Sequence, residues 1–200
     1  MMHLRAPAIL ISARPHGETA VIARLFTEES GVVAGYVAGG RGRQLRPVVI
    51  PGNLVEAEIR AKSDSQLPFA RLELSQSRGP WLSEPLPASA ISWVCALTAS
   101  VLPERNPYPS LYKALSALLD AVCNAPSARG WAPALASYES LLLRELGYGG
   151  EKPEIAGLGQ ALEILDRLEP QIARYLLADT RADVLAARTV LRQRLGRIDG

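Results

Sequence analysis

Three arginines in one short, glycine-rich stretch are the residues best suited to binding an anion. Arg41, Arg43 and Arg46 follow a glycine pair, so backbone freedom and positive charge coincide in one loop. A nucleic-acid backbone needs cations spaced along a groove, and a high total charge is not required. The stretch predicts a mobile cationic loop that contacts phosphates. From these residues alone, a solvated loop without a ligand is an equally good interpretation.

The excess of positive charge lies in the first part of the chain. The 200 residues carry a net charge of only +2. Residues 1–80 nevertheless contain ten Lys or Arg against seven Asp or Glu, whereas residues 81–200 contain twelve against thirteen. This distribution predicts that any polyanion binds to the first part.

Two aromatic residues in the same part are candidates for stacking on nucleic-acid bases. Tyr36 and Phe69 lie in segments with strand periodicity, where stacking platforms of small barrels usually lie. Either ring could instead fill a core. The three tryptophans lie in helical or linker segments and are predicted to be core or interface residues; they are Trp81, Trp93 and Trp131.

No set of residues predicts catalysis or metal binding. The two histidines, His3 and His16, have no acid, base and nucleophile at recognisable spacing. A phosphate-binding GxxxxGK[ST] motif is missing from the sequence. Cys95 and Cys123 are far apart in apolar segments and are predicted to be buried thiols in a reducing compartment. We therefore predict a protein that is not an enzyme and uses no cofactor.

The first part of the chain is predicted to be a small β-barrel. Alternation of apolar and polar residues indicates five strands, at residues 8–13, 19–26, 32–38, 54–62 and 66–75. In the fifth strand, Ala70, Leu72 and Leu74 are predicted to face the core, with Phe69 and Arg71 on the outer face. Five strands with glycine-containing breaks predict an OB-type barrel, with an SH3-like barrel as the alternative.

Beyond Pro80 the pattern becomes helical. Apolar residues recur at helical spacing in five segments, at residues 88–102, 110–121, 132–146, 158–177 and 180–195. Gly147 is predicted to end the third helix and Thr180 to cap the start of the fifth. Arg188 and Arg192 are predicted to lie on a solvated face. The predicted fold class is α+β, with a barrel domain at residues 1–79 and an all-helical domain at residues 80–200.

These segments resemble the RecO family of recombination mediators. The resemblance rests on RPHGET at residues 14–19, LFTEESG at 25–31, the basic loop at 39–43, and Tyr138 and Glu139 with the run LLLRELGYG at 141–149. It covers most of residues 5–149 and is weaker beyond. It implies an amino-terminal OB-fold that binds DNA, and the predicted DNA-binding residues are Arg14, Arg24, Arg41, Arg43, Arg46, Arg60, Lys62 and Arg71.

The resemblance also implies partners. RecO proteins bind single- and double-stranded DNA, anneal strands coated by single-strand binding protein, and act with RecR to load RecA. Their helical domain receives the acidic, apolar tail of single-strand binding protein. Such a tail needs an apolar pocket beside a cation. For this site we predict the cations Lys113, Arg129 and Arg144, with Trp131, Tyr138 and Leu142 as the pocket.

One feature departs from the family. Many RecO proteins carry a zinc module with two CxxC-type pairs after the turn that matches residues 147–149. Here residues 148–157 contain no cysteine and are too few for a zinc ribbon. We predict no zinc and no other metal. With no apolar run of about 20 residues for a membrane span, we predict a cytoplasmic, nucleoid-associated protein. The alternatives are an OB-fold adaptor that binds protein instead of DNA, and an enzyme with an unrecognised site.

Overall fold

The first part of the chain forms five strands. The computed structural model describes residues 1–179 and 182–199. The strands are β1 (Met2–His16), β2 (Ala20–Thr27), β3 (Gly31–Val37), β4 (Leu54–Ala61) and β5 (Phe69–Gln76). They close into a barrel in the order β1-β2-β3-β5-β4, with β4 paired to β1. The predicted five-stranded OB-type barrel is confirmed.

Strand β1 is longer than predicted. We expected it at residues 8–13, yet it begins at Met2 and ends at His16. Residues before Ala8 pair only with β4, while β2 joins from Ala8 onward. At Pro7 the strand therefore pairs only with β4. The missing N–H of Pro7 does not interrupt hydrogen bonding to a second strand.

The barrel core follows the predicted alternation with one exception. Its buried cluster comprises alternate residues of all five strands, Ala8, Leu10, Val21, Ala23, Leu25, Val33, Val37, Val55, Ala57, Ile59, Ala70 and Leu72. Leu74, predicted to be in the core, is 38% exposed. It pairs with Val55, next to a register shift near the end of β5, so the prediction for this residue was wrong.

A glycine at the β2–β3 turn lets a distant segment approach the barrel. Gly31 has a φ of +70°, and a Cβ atom there would lie 2.3 Å from the carbonyl oxygen of Asn106. Nearby, the backbone N–H of Arg105 donates to the carbonyl of Val32 at 2.8 Å. Any other residue at position 31 would therefore be strained and would also displace this segment.

The chain between β3 and β4 forms hydrogen-bonded turns, where a mobile loop was expected. Backbone bonds of 2.9 Å join Gly42 to Gly39 and Arg46 to Gly42. The buried Asn53 side chain donates to the carbonyls of Pro47 and Val48 and accepts from the backbone N–H of Arg78 at 2.7 Å. These contacts hold both ends of the cationic stretch in place.

The rest of the chain is helical, as predicted. The helices are α1 (Pro85–Val101), α2 (Pro109–Asn124), α3 (Ala132–Glu145), α4 (Leu158–Gln171) and α5 (Ala182–Asp199). Short 3₁₀ turns lie at Gly79–Ser83 and Ala128–Gly130. The predicted cap at Thr180 lies outside the described residues. Among the helices in the described ranges, none is long and apolar enough to cross a membrane.

Two helix ends have identifiable causes. Gly147, with a φ of +88°, follows α3, and the N–H groups of Gly147 and Tyr148 donate to the carbonyls of Arg144 and Leu143. This is a Schellman cap, as the sequence predicted. Helix α4 contains Pro170 and continues as a π-helical turn, Ile172–Leu176. Because proline cannot donate to the preceding turn, the helix is locally rearranged there.

The chain forms two compact units. The first contains Met1–Ser83 and also Leu102–Pro109, the segment between α1 and α2. The second contains Glu84–Val101 and the chain from Ser110 onward. The connection between the first two helices therefore belongs with the barrel, although we had expected all residues after 79 in the helical domain.

A buried ion pair holds α5 to the helical unit. Arg188 donates from Nη2 and Nε to Glu139 Oε1 at 2.6 and 3.0 Å, and from Nη2 to the carbonyl of Leu165 at 2.6 Å. Trp93 Nε1 donates to the other carboxylate oxygen at 3.2 Å. Burial raises the pKa of Glu139, and Arg188 acts against that rise. The prediction of a solvated Arg188 was wrong, because Glu139 on α3 binds it inside the bundle.

Candidate nucleic-acid interface

A row of side chains crosses the outer surface of the barrel. Strand pairing places Arg14 opposite Ile22, Ile22 opposite Tyr36, Tyr36 opposite Phe69, and Phe69 opposite Arg60. Directly paired residues project to the same side of a sheet. The row therefore presents an aromatic centre with an arginine at each end, although its members come from all five strands.

The centre of the row is an open groove of about 300 Å³. The rings of Tyr36 and Phe69 meet edge to face with centroids 5.4 Å apart, and the ring of His16 lies 5.8 Å from that of Tyr36. Phe69 is 65% exposed. An exposed ring in a groove can stack on a base without selecting its sequence. The groove is lined by Tyr36, Ala38, Glu58, Arg60, Phe69, Ala70 and Arg71.

One acid interrupts the cations of the groove. Glu58 Oε1 accepts a hydrogen bond from Arg60 Nη2 and lies 3.2 Å from Nε2 of His3. These two contacts, that of Arg60 first, hold the pKa of the Glu58 carboxyl below its usual range. Glu58 is therefore ionised at neutral pH and offsets part of the charge of Arg60. Nothing in the sequence marked Glu58 as a site residue, because its neighbour across the sheet is Arg5 of β1 and its contact with His3 depends on the fold.

The cationic loop is fixed beside the groove by its own arginines. Arg41 Nη1 donates to the carbonyl of Gly17 at 2.8 Å, and Arg46 Nη2 donates to the carbonyl of Arg41 at 3.1 Å. Gly17 follows His16, whose ring contacts Tyr36. The loop therefore lies next to His16 and follows Ala38, which lines the groove. Arg43 is exposed on the same loop.

The other predicted cations of the barrel divide into two groups. Arg14, Lys62 and Arg71 are exposed. Arg24 is half-buried and donates to the carbonyl of Leu102 at 3.1 Å. Burial lowers the pKa of its guanidinium, and Glu104 opposes that change. Arg24 therefore helps to hold residues 102–109, and it is not part of the candidate interface.

Comparison with known proteins identifies the family. A family model described as "Recombination protein O N terminal" matches residues 1–78, and one described as "Recombination protein O C terminal" matches residues 83–151. Together they cover most of the chain. This chain belongs to the RecO family.

Three relatives, each called "DNA repair protein RecO", illustrate the similarity. The relative from Rhodospirillum centenum is 42% identical over 153 residues, 76% of this chain and 60% of its own length. That from Gluconacetobacter diazotrophicus is 35% identical over 166 residues, 82% and 65% respectively. That from Caulobacter vibrioides NA1000 is 36% identical over 168 residues, 84% and 68%. The chain thus spans less than two thirds of the length of the first two relatives.

The helical unit of this RecO protein buries the residues predicted to form a docking pocket. Trp131, Tyr138 and Leu142 are at most 2% exposed, so they belong to the core and line no open pocket. The stripe that contains them packs inward because it is the apolar face of an amphipathic helix. Lys113 is exposed on α2. Arg129 donates to the carbonyl of Ile198 at 3.1 Å, on the last helix.

A different cleft lies between α3 and α4. It measures about 120 Å³ and has an apolar floor of Leu143, Ile164 and Leu168. Arg167, exposed on α4, and the hydroxyl of Ser140 lie in its wall. Arg144 Nη1 donates to that hydroxyl at 3.1 Å. Of the predicted docking residues, Arg144 is the one that the structure brings to this cleft.

The family's zinc module has no counterpart in the described residues. No group of three or more His, Cys, Asp or Glu in residues 1–179 and 182–199 is placed to hold a metal. The residues that follow the α3 cap do not fit zinc, because they contain no thiol or imidazole ligand. Cys95 and Cys123 are buried thiols, as predicted.

Proposed function

We propose that this protein binds single- and double-stranded DNA through the barrel and mediates recombination without catalysing a reaction. The observation that carries the proposal is the Tyr36–Phe69 pair, in which Phe69 is exposed and Tyr36 half-buried, in a groove with arginines at its edges. Bases of a single strand would stack on the rings, while phosphates would contact Arg43, Arg71 and the exposed faces of Arg41 and Arg46. The bases of duplex DNA are already paired and stacked, so it would meet the same cations through its phosphates.

Annealing follows from the same electrostatics. A cationic surface that neutralises the phosphates of two strands lowers their repulsion and raises their local concentration. Neither ATP nor a catalytic group is needed for this step. As membership of the RecO family suggests, such a protein would work at the nucleoid on strands coated by single-strand binding protein, with RecR, in advance of RecA loading.

The cationic loop provides the direct test of this proposal. Replacing Arg41, Arg43 and Arg46 together by alanine should weaken binding of mixed-sequence single strands. It should also reduce the slope of log affinity against log salt concentration by up to about 2, because each phosphate contact on a single strand contributes about 0.7 to that slope. Fluorescence anisotropy at a series of salt concentrations measures both effects.

A matched control is Arg5→Ala, which removes an exposed arginine of β1 that faces Glu56 at 3.8 Å and does not line the groove. This variant should keep the wild-type slope. A folded triple variant with the wild-type slope would refute phosphate binding by the loop. Binding that is insensitive to salt in all three proteins would instead favour the adaptor that binds protein.

We further propose that the cleft between α3 and α4 receives the acidic, apolar tail of single-strand binding protein. Its floor offers Leu143, Ile164 and Leu168 to the apolar end of the tail. Arg167 lines the cleft, and Arg144 reaches it through its bond to Ser140, so these cations would meet the terminal carboxylate. Charge-assisted hydrogen bonds from arginine to a carboxylate are the strong ones, so the cations should decide the affinity.

Charge reversal tests this cleft. Arg167→Glu should lower the affinity for the tail peptide at least about tenfold, as measured by calorimetry. The variant loses a charge-assisted hydrogen bond of about 1.5–3 kcal/mol, and the new glutamate also repels the acidic peptide. Affinity for naked DNA should stay unchanged. Arg129→Glu, an exposed cation whose side chain contacts the last helix, is the matched control and should bind the peptide normally. Equal peptide affinity in the two variants would place the docking site elsewhere.

A further inference from the structure

Glu58 is an unexpected residue in a groove for a polyanion. Its carboxylate lines the same wall as Arg60 and Phe69. Two basic groups, Arg60 Nη2 and His3 Nε2, contact one of its oxygens, Oε1. In the described residues, no hydrogen bond involves the second oxygen, Oε2. An ionised carboxylate with an uncommitted acceptor therefore lies within reach of whatever occupies the groove.

A carboxylate interacts differently with the phosphate and with the base of a nucleotide. It repels a phosphate, so the backbone should avoid the wall formed by Glu58 and lie over the flanking arginines. It attracts hydrogen-bond donors, and the exocyclic amino groups of cytosine and adenine are such donors. The aromatic rings of the groove hold a base by its face, which leaves the edge of the base free to meet the wall.

We propose that Glu58 accepts a hydrogen bond from the exocyclic amino group of a base stacked in the groove and so favours cytosine over uracil. The inference rests on the proposed DNA binding by this groove. Cytosine carries an amino donor at position 4, where uracil carries a carbonyl acceptor. The carbonyl would face the carboxylate with its lone pairs and be repelled. His3 and Arg60 hold Glu58 in position from one side, which leaves Oε2 for the base.

The experiment compares short oligonucleotides of deoxycytidine and of deoxyuridine, which differ at the base edge alone. For the wild type, the ratio of the two dissociation constants is measured by anisotropy at fixed salt. The same ratio is then measured for Glu58→Gln, in which the amide can donate to uracil or accept from cytosine. Intrinsic differences between the oligonucleotides are the same for all variants, so the change in the ratio is the readout.

Glu58→Gln should lower the preference for cytosine about fivefold, the low end of the discrimination that base-edge hydrogen bonds provide. Glu56→Gln is the matched control. It removes the same charge from the same strand, two residues from Glu58, and Glu56 does not line the groove. Its ratio should equal that of the wild type. Glu58→Ala should also lose the preference, and the thermal midpoint of each variant shows that it is folded.

The outcomes separate the inference from the function on which it rests. If Glu58→Gln tightens binding of both oligonucleotides by the same factor, Glu58 only repels phosphate and the inference is wrong, while DNA binding stands. If the ratio is unchanged and neither affinity rises, Glu58 does not meet the ligand. If the wild type binds neither oligonucleotide in a salt-dependent manner, the proposed function and the inference fail together.

Discussion

Replacing Glu139 with leucine is expected to lower the free energy of unfolding by about 3–5 kcal/mol, because the buried guanidinium of Arg188 then keeps only the half-exposed carboxylate of Glu169, 3.4 Å away, as a counter-ion. The side chains of this pair are 0% and 3% exposed, so water cannot take the place of the carboxylate. Trp93 also loses its acceptor. Urea unfolding of the wild type and the variant measures the difference in unfolding free energy, with the same slope against urea concentration used for both proteins.

Two further variants show whether the loss comes from an unpaired charge. Asp166→Asn breaks the exposed pair between Asp166 and Arg192, whose bonds are 2.7 and 2.9 Å, and should cost less than about 1 kcal/mol. The double variant Glu139→Leu with Arg188→Met removes both charges and should recover most of the loss. If Glu139→Leu is no more costly than Asp166→Asn, the pair has no special role in stability.

The second large effect is expected at the aromatic centre of the groove. Phe69→Leu should weaken binding of short single strands about 5- to 150-fold, which corresponds to the 1–3 kcal/mol typical of one base stacked on one ring. Phe69 is 65% exposed, so the substitution removes the ring without opening the barrel core. Titration of a fluorescent oligonucleotide at moderate salt measures the change.

The matched variant is Phe69→Tyr, which keeps a ring and should bind within about twofold of the wild type, because every aromatic face can stack on a base. The salt dependence of Phe69→Leu should equal that of the wild type, since no cation is lost. A loss shared by Phe69→Leu and Phe69→Tyr, or absent from both, would contradict stacking at this position.

The fold could be predicted in large part because local patterns agree with global packing. Alternation in β5 predicted that Ala70 and Leu72 face the core, where both are buried, and Gly147 predicted the end of α3. Leu74 was misassigned because a register shift depends on the partner strand, which periodicity within one strand does not show. The predicted β1 began too late because Pro7 interrupts its first residues. A proline is tolerated there because the strand has one neighbour, which the sequence does not show.

The candidate site was harder to predict, because side chains that meet in it are far apart in sequence. Tyr36 and Phe69 were singled out separately, yet their contact depends on the parallel pairing of β3 and β5. Arg24 and Arg188 looked like surface charges because a single sequence shows composition and not burial. The apolar stripe of Tyr138 and Leu142 was assigned to a pocket, although a stripe of this kind more often faces the core.

The path of the chain has a consequence for how this protein can be divided. Because Leu102–Pro109 lies with the barrel while the helices on either side of it do not, the polypeptide passes between the two units three times. A gene fragment that stops at the apparent linker near Pro80 would encode the strands without the residues that accept from Arg24 and donate to Val32. The first compact unit is therefore discontinuous in sequence, so a fragment that contains all of it must also contain α1.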